Sequence, residues 1–182
     1  MPNVEKIVAA ISYVVAQAAE SGQTLTQYDI VKTLFLADRK HLNDYGRPIT
    51  FDNYYAMLHG PVPNLAYDLL KGNKHAIEKF GKKLPWATKK GQGSKILFSL
   101  RRDTSIEALS SSDQDALSSA LTIVQSLGFP QIRALTHNDA AYIQAWSNKE
   151  EESKSALMDL AFLFDIPNSD AAQQLTFISK HQ

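Results

Sequence analysis

An acid set into the apolar face of a helix constrains this chain more than any other feature. In the stretch TQYDIVKTLFLADRKHLNDY, which begins at Thr26, Val31, Leu34, Phe35 and Leu42 fall on one face at about 100° per residue. Ile30, Ala37 and His41 lie on its shoulder. Asp38 projects into the middle of that face, whereas Lys32, Arg39 and Lys40 point elsewhere. A buried carboxylate without donors is costly or keeps its proton, so Asp38 requires a fixed partner: Arg47, Tyr45, His59 or the free amides of the following turns. The helix start is legible as well. Thr26 accepts from a first-turn amide, Asp29 sits three residues on, and Leu25 and Ile30 form a hydrophobic staple.

Two stiff turns follow. Tyr45-Gly46-Arg47-Pro48 ends the helix, because Gly46 tolerates positive φ and Pro48 forbids a helical residue before it. His59-Gly60-Pro61-Val62-Pro63 makes a second stop before a short helix over 64–71. Between them, Tyr54, Tyr55, Met57 and Leu58 suit a short strand or a helical turn, and periodicity leaves both open.

The run LFLADRKHLNDYGRPIT, then YYAMLHGPVPNLAYDLL, and later ALTHNDAAYIQAW, resembles the Panacea domain, also called SocA-like or GepA-like, of bacterial and phage antitoxins. The signature positions are Asp38, Arg39, His41, Tyr45, Gly46, Arg47, Pro48, His59, Gly60, Pro61, Pro63, Tyr67, His137 and Trp146. The resemblance implies a cytoplasmic antitoxin of a type II-like system, which masks a toxin encoded beside it or hands that toxin to a protease. It implies a cognate toxin protein as partner, with a protease system or homo- and hetero-oligomers as further ones. Toxins of this family are diverse and include small alarmone synthetases. No catalytic role attaches to the signature residues.

A chain of 182 residues suits one domain over 1–182, mainly α with a small antiparallel hairpin or sheet, and 150–182 reads as a helical extension. The absence of cysteine excludes disulfides, thiol nucleophiles and thiolate zinc sites. The apolar run near the N-terminus is short and interrupted and lacks a charged leader, so neither a signal peptide nor a membrane span is expected. Helical spacing from Val4 to Ala18 reads as a core helix capped by Asn3 and stopped near Gly22.

From Lys79 to Arg102 the acids vanish while Lys79, Lys82, Lys83, Lys89, Lys90, Lys95, Arg101 and Arg102 accumulate. Stretches 84–88 and 96–100 read as strands of a basic hairpin, with Trp86 and Phe98 as aromatic surface. Such a hairpin suits a lysine-protected sheet edge, an acidic protein partner or nucleic acid. The zero formal net charge gives the whole molecule no reason to seek nucleic acid.

Further on, Ser111 and Gln114 suggest a capping box, with Leu117, Ala120, Leu121, Val124 and Leu127 on the buried face. Phe129 and Pro130 then break the chain, and Thr136 caps a helix that starts at His137 and reaches Trp146. Glu150, Glu151 and Glu152 open a last helix pair divided by Pro167.

For catalysis, His41, His59, His75, His137 and His181 are scattered, and no two have the i, i+4 spacing of a helical metal pair. No metal or cofactor is therefore expected. A protein-binding antitoxin with no activity of its own is the first reading. A DNA- or RNA-binding regulator using the basic hairpin, or a hydrolase combining Asp38 and His59, are the others. The candidate contact residues are Asp38, Arg39, His41, Tyr45, Arg47, His59, Tyr67, Trp86, Lys89, Lys90, His137 and Trp146.

Overall fold

A computed structural model describes residues 2–101 and 107–180; Arg102 of the basic run and His181 lie outside them. Helix α1 (Val4–Glu20) is capped by the Asn3 carboxamide, which accepts from the Lys6 amide at 3.0 Å. A two-residue strand β1 (Leu25–Thr26) leads into α2 (Gln27–Tyr45), where Thr26 and Asp29 form the expected reciprocal capping box. Gly46 ends α2 at φ 74, in the left-handed region.

The stretch that periodicity left open is a strand. β2 (Tyr54–Met57) pairs antiparallel with β3 (Gly60–Pro63), which runs directly into α3 (Asn64–Leu70) and α4 (Lys74–Phe80). The basic hairpin forms from β4 (Trp86–Lys90) and β5 (Ile96–Leu100). Then come α5 (Ser111–Ser126), α6 (Phe129–His137), α7 (Ala140–Ser147), β6 (Ser155–Leu157), a 3-10 turn (Leu160–Leu163) and α8 (Ser169–Lys180). The class is α+β: among the described residues, helices surround two three-stranded antiparallel sheets, ordered β1-β5-β4 and β3-β2-β6.

Helix α2 lies between two hydrophobic clusters. Ile30, Val31, Leu34 and Ala37 pack with Ile7, Ile11 and Val14 of α1 and Leu117 and Leu121 of α5. Phe35 and Leu42 pack instead with Tyr54, Tyr142, Met158 and Leu175. A helix with cores on both sides buries nearly its whole girth, which one apolar stripe does not convey. Among the described residues, no helix is long and apolar enough to cross a membrane.

Several expectations are corrected. The cap of α5 is Ser110, boxed with Asp113, one residue before the expected Ser111 and Gln114. Leu127 is 38 % exposed instead of buried. Phe129 and Pro130 begin α6 instead of breaking the chain, since proline in a first turn forfeits an amide that has no helical partner anyway. Thr136 lies inside α6 and bonds the Ile132 carbonyl, so Asp139 caps α7. The acidic run 150–152 precedes no helix, because Ser155–Leu157 is held by Tyr55–Met57 as β6.

Candidate functional site

Asp38 is 2 % exposed and saturated with donors. Its Oδ1 accepts from the amides of Ile49 (2.8 Å) and Thr50 (3.0 Å), and its Oδ2 from the Tyr54 hydroxyl (2.8 Å) and the Thr50 hydroxyl. The turn amides and two hydroxyls supply the partner; Tyr45, Arg47 and His59 do not. Burial pushes the carboxyl up from its ordinary value, opposed by these same bonds. Thr50 Oγ1 accepts in turn from the Asp52 amide at 3.1 Å. Asp52 then takes the first-turn amides of α3, Leu65 at 3.0 Å and Ala66 at 2.8 Å. Two buried acids thus pin α2, the segment after Pro48 and the start of α3 to one another. Burial holds Asp52 at about 7.

A second knot gathers signature residues on Asp113, which sequence reasoning missed because its capping box was placed one residue late. Asp113 is fully buried; Oδ2 meets Lys6 Nζ at 2.7 Å, and Oδ1 faces Arg47 Nη2 at 3.1 Å and His41 Nε2 at 3.2 Å. Neither contact is an aligned hydrogen bond to Oδ1, and His41 Nε2 instead shares a hydrogen bond with the Ser112 hydroxyl at 3.0 Å. Burial pushes this carboxyl up, but the bonds from Lys6 and Ser110 outweigh it and hold it below its ordinary value. His41 donates from Nδ1 to the Arg47 carbonyl at 2.7 Å, since a carbonyl can only accept. Tyr45, 58 % exposed, lies on the His41 ring at 4.6 Å. Arg39 bonds Asp139 at 2.6 Å and Asp165 at 2.8 Å, tying α2 to the cap of α7. Tyr67 lies under Lys71, and Trp146 stacks on Tyr142 with centroids 5.9 Å apart.

The third cluster surrounds Gly60. Lys32, expected to point away from the core, is 1 % exposed and donates to the Pro61 carbonyl at 2.8 Å, with its ammonium 5.2 Å from the Tyr28 ring centre. Burial lowers its pKa from 10.5 to about 7. Between those values the unfolded chain holds a proton that the folded chain has released, so stability rises with pH across the window and the penalty is fully present below about 7. Lys32→Met removes this dependence. The variant's stability relative to the wild type falls by roughly 3 kcal/mol as pH rises from about 7 to about 10. Urea unfolding at both ends of that range checks this, and parallel curves would contradict it.

His137 sits at the end of α6, not at a helix start. Its ring lies 4.4 Å from Tyr142, and its buried Nε2 has no hydrogen-bond partner. Burial lowers its pKa, and Arg133, Lys32 and His59 add to the effect. His59 is exposed and touches Phe129, 49 % exposed, which also contacts Tyr28 at 4.7 Å. Asp38 and His59 therefore belong to different environments, one saturated with donors and one facing solvent.

An open cleft of about 680 Å³ runs between Tyr28, His59, Lys95, Ile96, Leu127 and Phe129. It adjoins the basic hairpin, on which Lys89 and Lys90 are exposed while Trp86 (4 %) and Phe98 (1 %) are buried in the core. The aromatic surface expected of the hairpin is thus turned inward. Tyr28, Lys32, Leu58 and Phe129 carried no local signal of this placement. Among the described residues, no three of His, Asp and Glu converge to hold a metal ion.

A family model described as antitoxin SocA-like, Panacea domain, matches residues 30–143, from the first turn of α2 to the middle of α7. No curated protein and no solved structure matches the chain.

Proposed function

The chain belongs to the SocA-like, Panacea-domain antitoxin family, and from that premise we propose that it neutralises a toxin encoded beside it by binding the toxin protein directly, in the cytoplasm and without turnover. The observation that carries this reading is the surface around the cleft and hairpin. Phe129 is 49 % exposed, Ile96 44 % and Leu127 38 % along the cleft, with Lys95 on its lining and Lys90 paired across the hairpin from Ile96. Apolar groups grouped at a cleft with charges at its rim are what a protein interface requires. A single strand of nucleic acid would stack on aromatics of the basic hairpin, and Trp86 and Phe98 are buried in the core instead. The internal knots on Asp38 and Asp113 serve to keep that surface rigid, which lowers the ordering cost of binding.

Co-expression tests the reading. Induction of the neighbouring open reading frame alone arrests growth; together with this chain growth returns, and the two proteins elute as one complex. The rescue persists in a strain lacking ATP-dependent cytoplasmic proteases, which separates masking from delivery to a protease. A harmless neighbour, or rescue without a complex, would overturn the proposal.

A further inference from the structure

Strand β4 ends its sheet, in the order β1-β5-β4. The register determines which of its backbone groups are already engaged. The Gly91 amide donates to the Lys95 carbonyl at 2.9 Å and the Arg101 amide to the Pro85 carbonyl at 2.7 Å, so hydrogen-bonded pairs lie at both ends of the ladder. Antiparallel pairs alternate between bonded and non-bonded. Trp86↔Leu100, Thr88↔Phe98 and Lys90↔Ile96 occupy the non-bonded positions. Thr88 and Lys90, both exposed, therefore turn their amides and carbonyls away from β5, toward an edge that no other described strand covers, whereas Trp86 at the start of β4 is buried.

A groove of about 500 Å³ runs from Trp86 and Thr88 of β4 past Ile96 of β5 to Leu69, Leu70 and Ile77, which gives apolar side chains of an added strand somewhere to go. The charge is one-sided. No Asp or Glu occurs between Lys79 and Arg101, and among the described residues Lys83, Lys89, Lys90 and Lys95 have no carboxylate partner. Lysines on an edge repel a second copy of the same edge. They attract a strand of opposite charge, since cross-strand neighbours of opposite sign stabilise pairing.

We propose that the toxin docks by adding an extended, acidic segment to the free edge of β4, its backbone bonding the outward groups of Thr88 and Lys90. This rests on the direct-binding reading above and specifies the element that binds.

The probe is the purified product of the adjacent gene. In the wild-type complex, amide hydrogen exchange at Thr88 and Lys90 slows at least about tenfold, whereas Ala87 and Lys89, already bonded to β5, change little. Thr88→Pro removes an outward amide that the ladder does not use and places a ring on the edge, so the melting temperature holds while the toxin Kd weakens by at least about tenfold. Lys89→Glu with Lys90→Glu also weakens binding, with no loss of stability. A wild-type complex in which the Thr88 and Lys90 amides stay unprotected, or one that Thr88→Pro leaves equally tight, would overturn the edge proposal alone. Absence of any wild-type complex would overturn both proposals.

Discussion

Asp38→Ala destabilises the protein by about 3–5 kcal/mol and lowers its melting temperature by roughly 10–15 °C. The side chain gathers the Ile49 and Thr50 amides and the Thr50 and Tyr54 hydroxyls inside the protein. Truncation leaves two amides and two hydroxyls without an acceptor where solvent cannot replace it. Because Thr50 also holds the Asp52 amide, the loss reaches the start of α3. Asp38→Asn retains one accepting oxygen, and the two hydroxyls can rotate to receive its new donor, so its cost is smaller, about 1–2 kcal/mol. Urea unfolding of the two variants checks the ordering. A melting temperature unchanged by Asp38→Ala would mean that the helix and turn are joined by something else.

Gly60→Ala has the second large effect, about 2–4 kcal/mol. Gly60 has φ 96, a conformation that resists any side chain. A methyl group there would lie 2.7 Å from Thr136 Oγ1 and 2.9 Å from Lys32 Nζ. Neither neighbour can move aside freely: Thr136 is bonded to the Ile132 carbonyl, Lys32 to the Pro61 carbonyl, and both are 1 % exposed. Adding Thr136→Ala to Gly60→Ala restores part of the loss, roughly 1 kcal/mol, by removing the nearer clash. Strict additivity of the two changes would count against this geometry.

The sequence was most informative where structure depends on neighbours in the chain. The capping box of Thr26 and Asp29 uses residues three apart, and the inward direction of Asp38 follows from helical geometry. The glycine stop at Gly46 and the basic hairpin are equally local. The burial of Lys32 is not legible locally, because its cover at Pro61 of β3 comes from 29 residues away and a lysine ordinarily faces water. Asp139, three residues after Thr136, imitates the acid of a capping box while being the cap itself. β6 was hidden for a related reason: three residues after an acidic run become a strand only because β2 offers them an edge. For the candidate site, the signature positions were nameable but their roles were not. Asp38, His41 and Arg47 serve internal knots, whereas Phe129 and Ile96, which lie outside the signature runs, are exposed along the cleft.

On the function proposed above, this chain acts by occupying its toxin. Its most direct test titrates purified toxin with purified antitoxin, without protease or nucleotide, and follows the toxin's own activity. Occupancy predicts a linear fall to zero that breaks sharply at a fixed molar ratio. Full inhibition by a small fraction of an equivalent, or undiminished toxin activity at a large excess of this chain, would contradict it.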